Sequence, residues 1–280
     1  MPELPEVETV VRLIRPRLTG RRIEGVRVEW ERTLGGMRPA AFQRAVQGAT
    51  IGRIWRRGKY IVADLERGGH PAGHLLGHLR MSGRLHVDPA SIAPGPHERL
   101  RLFLDDGGAL RFVDVRKFGR FAYVERADTA LAALGPEPLG EEFTRAWFRA
   151  GLRSRRRVLK PLLLDQTFVC GLGNIYVDEA LHRARLHPLR RCDRITAQAA
   201  DRLHGQIQMT LKEAIAREGS SFDTFYRTPE GRPGSFQDQF QVYGRQGKPC
   251  LSCGAPIRRL VVAQRGTHVC LRCQRPPRSL

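Results

Sequence analysis

Lysine is scarce in this chain. Of 48 basic residues only Lys59, Lys117, Lys160, Lys212 and Lys248 are lysine, and arginine supplies the rest. Acid is scarce as well. Its 28 Asp plus Glu leave a formal net charge of +20, and the segment from Gln241 to Leu280 contains eight basic residues and no acid. Long apolar runs are missing. The longest uncharged stretch near the middle, Gln166 to Val177, falls short of the ~20 residues a membrane span requires. Glu3, Glu6 and Glu8 stand where a secretory signal would have an apolar block, so no such signal is expected. Internal repeats, low-complexity tracts and basic amphipathic helices of the membrane-surface kind are also lacking. These absences point to a soluble intracellular protein that does not engage a membrane.

Hydrophobic residues make up 41% of the 280, enough to exclude wholesale disorder. The length suggests two domains at roughly 100–200 residues each. A sequence pI of about 11.0 concerns partners more than fold. From Arg153 to Lys160 five of eight residues are basic. A single run of this kind reads equally well as a solvated surface. Joined to the acid-free terminal segment, it favours a polyanion, with nucleic acid foremost.

Four of the six cysteines form Cys250-x2-Cys253-x16-Cys270-x2-Cys273. Two close pairs separated by a short loop suit a closed, tetrahedral, structural zinc site. Two disulfides or two redox pairs are the alternatives; an intracellular setting disfavours the first, and the lack of a helix after either pair disfavours the second. The metal is expected to hold a hairpin of Ile257–Ala263 and Thr267–Cys270 with Gln264-Arg265-Gly266 at its tip. Cys170 and Cys192 read as plain buried residues.

Along the chain, Leu4, Val7, Val11, Ile14 and Leu18 form one helical stripe over residues 3–19. Pro2 and Pro5 suit the helix start, and Pro16 is expected to kink or end the helix. From Ile23 to about Val124 the pattern turns to seven strand candidates: Ile23–Trp30, Thr50–Trp55, Tyr60–Leu65, His74–Met81, Leu100–Leu104, Ala109–Phe112 and Phe118–Val124. Asp105-Asp106-Gly107-Gly108 is a hairpin turn signal. A β-sandwich or barrel follows, and residues 135–140 read as an interdomain linker. Helical patterns return at 141–152, 155–165 and from Asn174 to about Arg185. Another begins after Thr196, with Leu203, Ile207, Leu211 and Ile215 recurring every fourth residue. The segment 219–240 reads as a loop. The fold class expected is α+β in two domains: an N-terminal helix plus β-sandwich over residues 1–134, and a helical domain over 135–240 with its zinc hairpin at 241–275.

Four segments together carry a resemblance. Met1-Pro2-Glu3-Leu4-Pro5-Glu6-Val7-Glu8-Thr9-Val10 resembles the N-terminus of the formamidopyrimidine-DNA glycosylases of bacteria. Asp165-Gln166, Gly171-Leu172-Gly173-Asn174-Ile175-Tyr176 and Glu179-Ala180-Leu181 are similar to that family's helix–two-turns–helix signature. Val242-Tyr243-Gly244-Arg245 before the first cysteine pair, and Gln264-Arg265-Gly266-Thr267 before the second, are similar to its zinc segment. Two departures stand out: Leu271 follows the third cysteine where the family often has proline, and Arg116-Lys117 precedes Phe118-Gly119 where it often has two arginines. The resemblance implies a base excision repair enzyme that removes 8-oxoguanine and formamidopyrimidines and cuts the strand by β- and δ-elimination. Its partner is double-stranded DNA with the oxidised base opposite cytosine, its cofactor one structural zinc ion, its state a monomer and its place the cytoplasm, at the nucleoid.

The chemistry implied requires an amine. Attack on C1′ expels the base and leaves a Schiff base, which acidifies the C2′ proton. Pro2 supplies the amine once Met1 is removed, and an α-amino group with a pKa of roughly 7.7–8 is more often neutral than lysine. Read alone, Pro2 is only a helix-start residue. The resemblance further implies Glu3 as the acid that protonates the sugar ring oxygen, Glu6 as its support, and Lys59 in β-elimination and phosphate contact. Arg265 serves δ-elimination and clamps a phosphate. Met81, Arg116 and Phe118 fill the hole left by the flipped base, with Arg116 reaching the orphaned cytosine. Asn174 binds phosphate at a helix start, and His97 and Arg155 contact DNA. The loop around Ser220, Ser221 and Phe222 covers the flipped base. Cys250, Cys253, Cys270 and Cys273 hold the metal. The rivals are a sister glycosylase for oxidised pyrimidines and a non-catalytic zinc-containing binder of damaged DNA; Pro2, Glu3 and Lys59 together argue against the second.

Overall fold

The computed structural model describes residues 1–222 and 226–277. Its contacts divide the chain into two compact units, Met1–Ala133 with Arg217–Ser235, and Leu134–Ala216 with Phe236–Leu280.

The first unit opens on α1 (Leu4–Leu18), whose buried face includes Leu4, Val7, Val11, Ile14 and Leu18. Pro16 does not end the helix at its own position, since the helix runs on to Leu18. It falls in the last turn, and Thr19 N–H still closes on Arg15 O at 3.0 Å. Then come β1 (Ile23–Val28), α2 (Pro39–Val46), β2 (Thr50–Arg57), β3 (Tyr60–Arg67), β4 (His70–His78), β5 (Gly83–Pro89), β6 (Glu98–Leu104), β7 (Gly108–Asp114), β8 (Arg120–Val124) and the single turn α3 (Ala127–Ala130). The strands form two antiparallel four-stranded sheets, in the orders β1-β6-β7-β5 and β2-β3-β4-β8. Val11 and Ile14 of α1, Phe42 of α2, and Ile61, Leu85, Leu102 and Phe112 from the two sheets share one core. This is the expected sandwich with one strand more than the sequence predicted. Strand β5 turns Gly83, Leu85 and Val87 inward, and with glycine as the first of these the apolar alternation is too short to stand out.

Residues 217–235 rejoin this unit, where the sequence placed them in the helical domain. Tyr226 lies in the sandwich core, its hydroxyl donates to Glu218 O at 3.0 Å, and Ser220 N–H donates to Glu6 Oε1 at 2.7 Å.

The second unit contains α4 (Arg145–Arg153), α5 (Leu159–Leu164), α6 (Asn174–Arg183), α7 (Ala197–Ala216) and the hairpin β9 (Arg258–Val262) and β10 (Arg265–Val269). Thr196 Oγ1 accepts from Ala199 N–H at the start of α7, as its capping role requires. The buried stripe of α7 runs Leu203, Ile207, Leu211 and then Ala214, not Ile215, because a strict four-residue step drifts off a 3.6-residue turn. The expected linker is packed rather than free. Gly135 N–H donates to Gln166 O at 2.9 Å, Cys170 N–H to Pro136 O at 3.2 Å, and a Cβ at Gly135 would lie 2.4 Å from Phe168 O. The zinc segment is part of this unit and not a separate one. The hairpin tip is Ala263-Gln264, with φ of +47° and +61°, so Arg265 sits one residue past the tip, opposite Val262.

The hairpin is tied to α6 by a fully buried ion pair. Lys160 Nζ donates to Asp178 Oδ1 at 2.6 Å and to Thr267 Oγ1 at 2.8 Å, while Asp178 Oδ2 accepts His268 N–H at 2.8 Å. Lys160 and Asp178 side chains are both 0% exposed. Removing one buried partner strands the other charge, at about 3–5 kcal/mol. Lys160→Met should therefore lower unfolding free energy by about that much in urea titration, and adding Asp178→Leu should restore part of it. Equal losses in the single and double variants would show that the pair does not hold the unit together.

Candidate functional site

The first unit buries the residues singled out at the N-terminus. Pro2 is buried, and Glu3 and Glu6 are each 2% exposed. Glu6 lies in the first turn of α1, so its carboxylate reaches back: Oε2 accepts Glu3 N–H at 2.8 Å, while Oε1 takes Ser220 N–H. Gly219 packs on the same carboxylate, at φ +78°, and a Cβ there would lie 2.7 Å from Glu6 Oε1. No side chain fits at 219. The loop expected to cover a flipped base is thus fastened to the helix that begins beside Pro2, through Glu6. Phe222 of that loop is 52% exposed; residues 223–225 lie outside the described residues.

Lys59 occupies the second position of the two-residue turn between β2 and β3, where Arg57 pairs with Tyr60. Gly58 ahead of it has φ +57°, the backbone state that favours glycine at a hairpin turn. Lys59 is buried. The register also pairs Tyr60 with His78, their rings edge to face at 4.7 Å. Burial, then the charges of Arg80 and Lys59, pushes His78 down to about 3. Its Nδ1 accepts Arg80 N–H at 3.0 Å, which leaves Nε2 as the protonated nitrogen of a neutral ring. Sequence reasoning missed His78; alternation placed it in a strand, and nothing in the pattern marked it as a buried neighbour of Lys59.

Met81 and the Arg116–Phe118 loop are organised by one buried carboxylate. Asp114 accepts from the Ser82 hydroxyl, from Arg116 N–H at 3.2 Å and from Gly119 N–H at 2.7 Å. Arg116 N–H also reaches Ser82 Oγ at 3.1 Å. Ser82 follows Met81, so the two loops are cross-linked through Asp114. Phe118 is 50% exposed, too open for core packing, and the Arg116 guanidinium lies 5.0 Å from its ring centroid. Val115, equally exposed, was not foreseen. His97 is exposed, and its carbonyl accepts Asp114 N–H at 2.9 Å.

In the second unit, Gly173 and not Asn174 is the cap of α6. Asn174 instead sends Nδ2 to Gly266 O at 2.8 Å, next to Arg265. The two expected phosphate residues are therefore held in register with each other. Arg265 is exposed. Arg155 folds back on its own helix end, donating to Gly151 O at 2.8 Å, with its guanidinium 5.0 Å from the Phe168 ring centroid.

The four cysteine sulfurs lie within 4.8 Å of one another, with Cys250–Cys273 at 3.9 Å and Cys253–Cys270 at 3.5 Å. Zinc–sulfur bonds of about 2.3 Å in a tetrahedron put sulfurs about 3.8 Å apart, so the donor set fits one zinc ion. None of the six cysteines is in a disulfide. Leu271 leaves the second knuckle intact: Gln274 N–H still closes on Cys270 O at 2.7 Å. Burial pushes the Cys192 thiol up to about 12, which makes it inert.

His78 gives a pH dependence with a definite sign. Between its ordinary value of 6.5 and about 3, the unfolded chain binds a proton that the folded chain refuses, so stability falls as pH falls through that window. Between about pH 7 and about pH 4.5, His78→Gln should lose about 2 kcal/mol less stability than the parent in urea unfolding. Parallel losses in the two proteins would mean that His78 is not held neutral.

Comparison with known proteins agrees with this geometry. Residues 1–121 match the formamidopyrimidine-DNA glycosylase N-terminal domain, residues 134–226 the H2TH domain of the same enzymes, and residues 247–276 the zinc finger found in FPG and IleRS. The formamidopyrimidine-DNA glycosylase of Symbiobacterium thermophilum is 46% identical, covering 100% of this chain and 91% of its own. That of Geobacillus kaustophilus is 44% identical, covering 98% and 100%. Among solved structures, the Lactococcus lactis enzyme with DNA containing N7-benzyl-Fapy-dG superposes with a TM-score of 0.90 at 36% identity, over 98% of this chain and 100% of that one. Its complex with DNA containing an abasic site gives 0.89 at 35%, over the same shares. With three domain matches in chain order and relatives aligned over nearly its whole length, the chain belongs to the formamidopyrimidine-DNA glycosylase family.

Proposed function

We propose that this chain excises oxidised purines from duplex DNA through a Schiff base on Pro2 and then cuts the strand by β,δ-elimination. The observation that carries the reading is the buried Pro2-Glu3 start of α1, with Glu6 bonded to both Glu3 N–H and Ser220 N–H. After loss of Met1 the proline nitrogen attacks C1′ as a secondary amine. The C1′–base bond breaks, and its electron pair leaves with the base. Glu3 protonates the ring oxygen, the sugar opens, and an iminium remains. The iminium acidifies the C2′ proton, whose removal expels the 3′ phosphate. Lys59, compact and buried, assists this step and faces phosphate. Arg265 assists the second elimination, which expels the 5′ phosphate.

Met81, Arg116 and Phe118 fill the space of the extruded base, and Arg116 reads the cytosine opposite. The exposure of Phe118 and the tie through Asp114 support that role. Asn174 and Arg265 clamp phosphate with His97 and Arg155 as further contacts, and the +20 charge supports such binding. The zinc ion on Cys250, Cys253, Cys270 and Cys273 has no open position for chemistry and serves as a cross-link. The protein acts as a monomer in a bacterial cytoplasm; among the described residues no helix is long and apolar enough to cross a membrane.

Borohydride trapping on a duplex with 8-oxoguanine opposite cytosine tests the nucleophile. The parent should give a covalent band, and an N-terminally extended form or Pro2→Gly should not. A band of full strength from the extended form would remove Pro2 from the mechanism. An oxidised-pyrimidine duplex that traps where 8-oxoguanine does not would shift the substrate class. Arg265→Ala should lower the salt slope of DNA binding by about one and let the β-elimination aldehyde accumulate over the δ product. An unchanged slope and product ratio would move Arg265 out of the site.

A further inference from the structure

Beside the zinc ligands stands a buried histidine that none of the assigned roles uses. His182, in the last turn of α6, is 4% exposed. Its Nε2 lies 3.5 Å from Cys250 Sγ. Its Nδ1 is buried without a hydrogen-bond partner among the described residues, so the sulfur contact is the polar one the ring makes.

We propose that His182 donates its Nε2–H to the zinc-bound Cys250 thiolate and thereby slows loss of the metal. The inference rests on the reading of the four cysteines as a zinc site. Four thiolates on one dication leave a net charge of about −2 in a half-buried place. A thiolate there accepts hydrogen bonds, and a neutral imidazole with its proton on Nε2 supplies one. The donor also draws electron density from the sulfur, which makes it a poorer target for a proton or a competing metal-binding reagent. Access makes this matter. A cavity of about 310 Å³ is lined by His182, Arg183, Arg185, Gln241, Ser252 and Cys273, so the cluster is not sealed on that side. Because His182 belongs to α6 and Cys250 to the zinc segment, the bond also joins the two at a point removed from Lys160.

The test follows transfer of zinc from the full-length protein to a coloured chelator, in the parent, His182→Phe and His182→Gln. Metal analysis of the parent comes first: one zinc per chain keeps the zinc reading, and none ends it irrespective of His182. With zinc present, His182→Phe should release it about tenfold faster. His182→Gln, which keeps an N–H donor, should stay near the parent rate. Equal rates for the parent and His182→Phe would overturn the proposal. Equal acceleration in both variants would overturn it too, since packing rather than the hydrogen bond would then be the cause. Cobalt substitution gives a second readout that does not depend on rate. The sulfur-to-cobalt charge-transfer band should move to lower energy in His182→Phe at unchanged intensity. A rise in intensity would mean that His182 had displaced Cys250 as a ligand, which would overturn its role as a donor to the thiolate.

Discussion

A lysine ammonium with no access to water must find all its partners within the protein, and Lys160 does. Its contacts with Asp178, Thr267 and Gly266 O join α5 and the middle of α6 to the first residues of β10. The zinc segment is held largely by such polar contacts. Its own core is Val242, Ile257 and the cysteines, too small to fix a hairpin by apolar burial. The cysteine cluster constrains the far end of β10, after Val269, and Lys160 constrains the near end, at Gly266 and Thr267. Arg265 and Asn174 owe their common register to that second constraint, because Asn174 and Lys160 share the Gly266 carbonyl. Glu179, one residue past Asp178, extends the same logic. It is fully buried and accepts the N–H groups of Gln241, Val242 and Tyr243, which sets the direction in which the chain enters the zinc segment.

Carboxylates do the same for the first unit. Glu6 fixes residues 219–220, and Asp114 fixes the loops at Ser82 and at residues 116–119. Backbone N–H groups of Ser220, Arg116 and Gly119 are donors to them, joined by the Ser82 hydroxyl, so each carboxylate specifies the path of a loop. A site that handles an extruded base gains from loops that do not have to reorganise during the reaction. The same loops hold backbone strain. Arg80 precedes Met81 at φ +54°, Lys117 separates Arg116 from Phe118 at φ +60°, and Ala263 and Gln264 precede Arg265 at +47° and +61°. Left-handed non-glycine residues are uncommon and cost free energy, yet they stand beside Met81, Arg116, Phe118 and Arg265.

This arrangement explains which parts were legible in the sequence. Apolar periodicity located α1, α6, α7 and most strands, because those positions are set by burial. Cysteine spacing located the metal site, because coordination geometry allows few spacings. Periodicity did not disclose β5, or α2, whose buried residues are only Phe42 and Val46. Strand β6 is a harder case. Glu98, Arg99 and Arg101 are buried in it, with Arg101 forked onto Glu98 at 2.6 and 2.9 Å, so charge there reports interior pairing rather than a solvent face. The return of residues 217–235 to the first unit depends on Ser220 meeting Glu6, 214 residues away. No local pattern encodes such a pairing. His78 and Asp114 were missed for the same reason: their roles come from what tertiary structure places around them. Resemblance, not pattern, drew attention to Pro2 and Glu3.

The scarcity of lysine has a structural counterpart. Lys117, Lys212 and Lys248 are exposed, while Lys59 and Lys160 are buried. In a chain where arginine fills nearly every basic position, two of the five lysines lie in the interior, as Arg99 and Arg101 of β6 also do. An ammonium has three donors on a compact head, and a guanidinium has five on a planar fork. The acceptors around Lys160 include the Asp178 carboxylate, the Thr267 hydroxyl and the Gly266 carbonyl, which converge on one compact ammonium head. At Lys59 the difference between the two side chains is one of charge state. An amine can give up its proton within a protein's range and a guanidinium cannot. One lysine thus closes a buried network around α6 and β10, and the other suits the elimination step proposed for it.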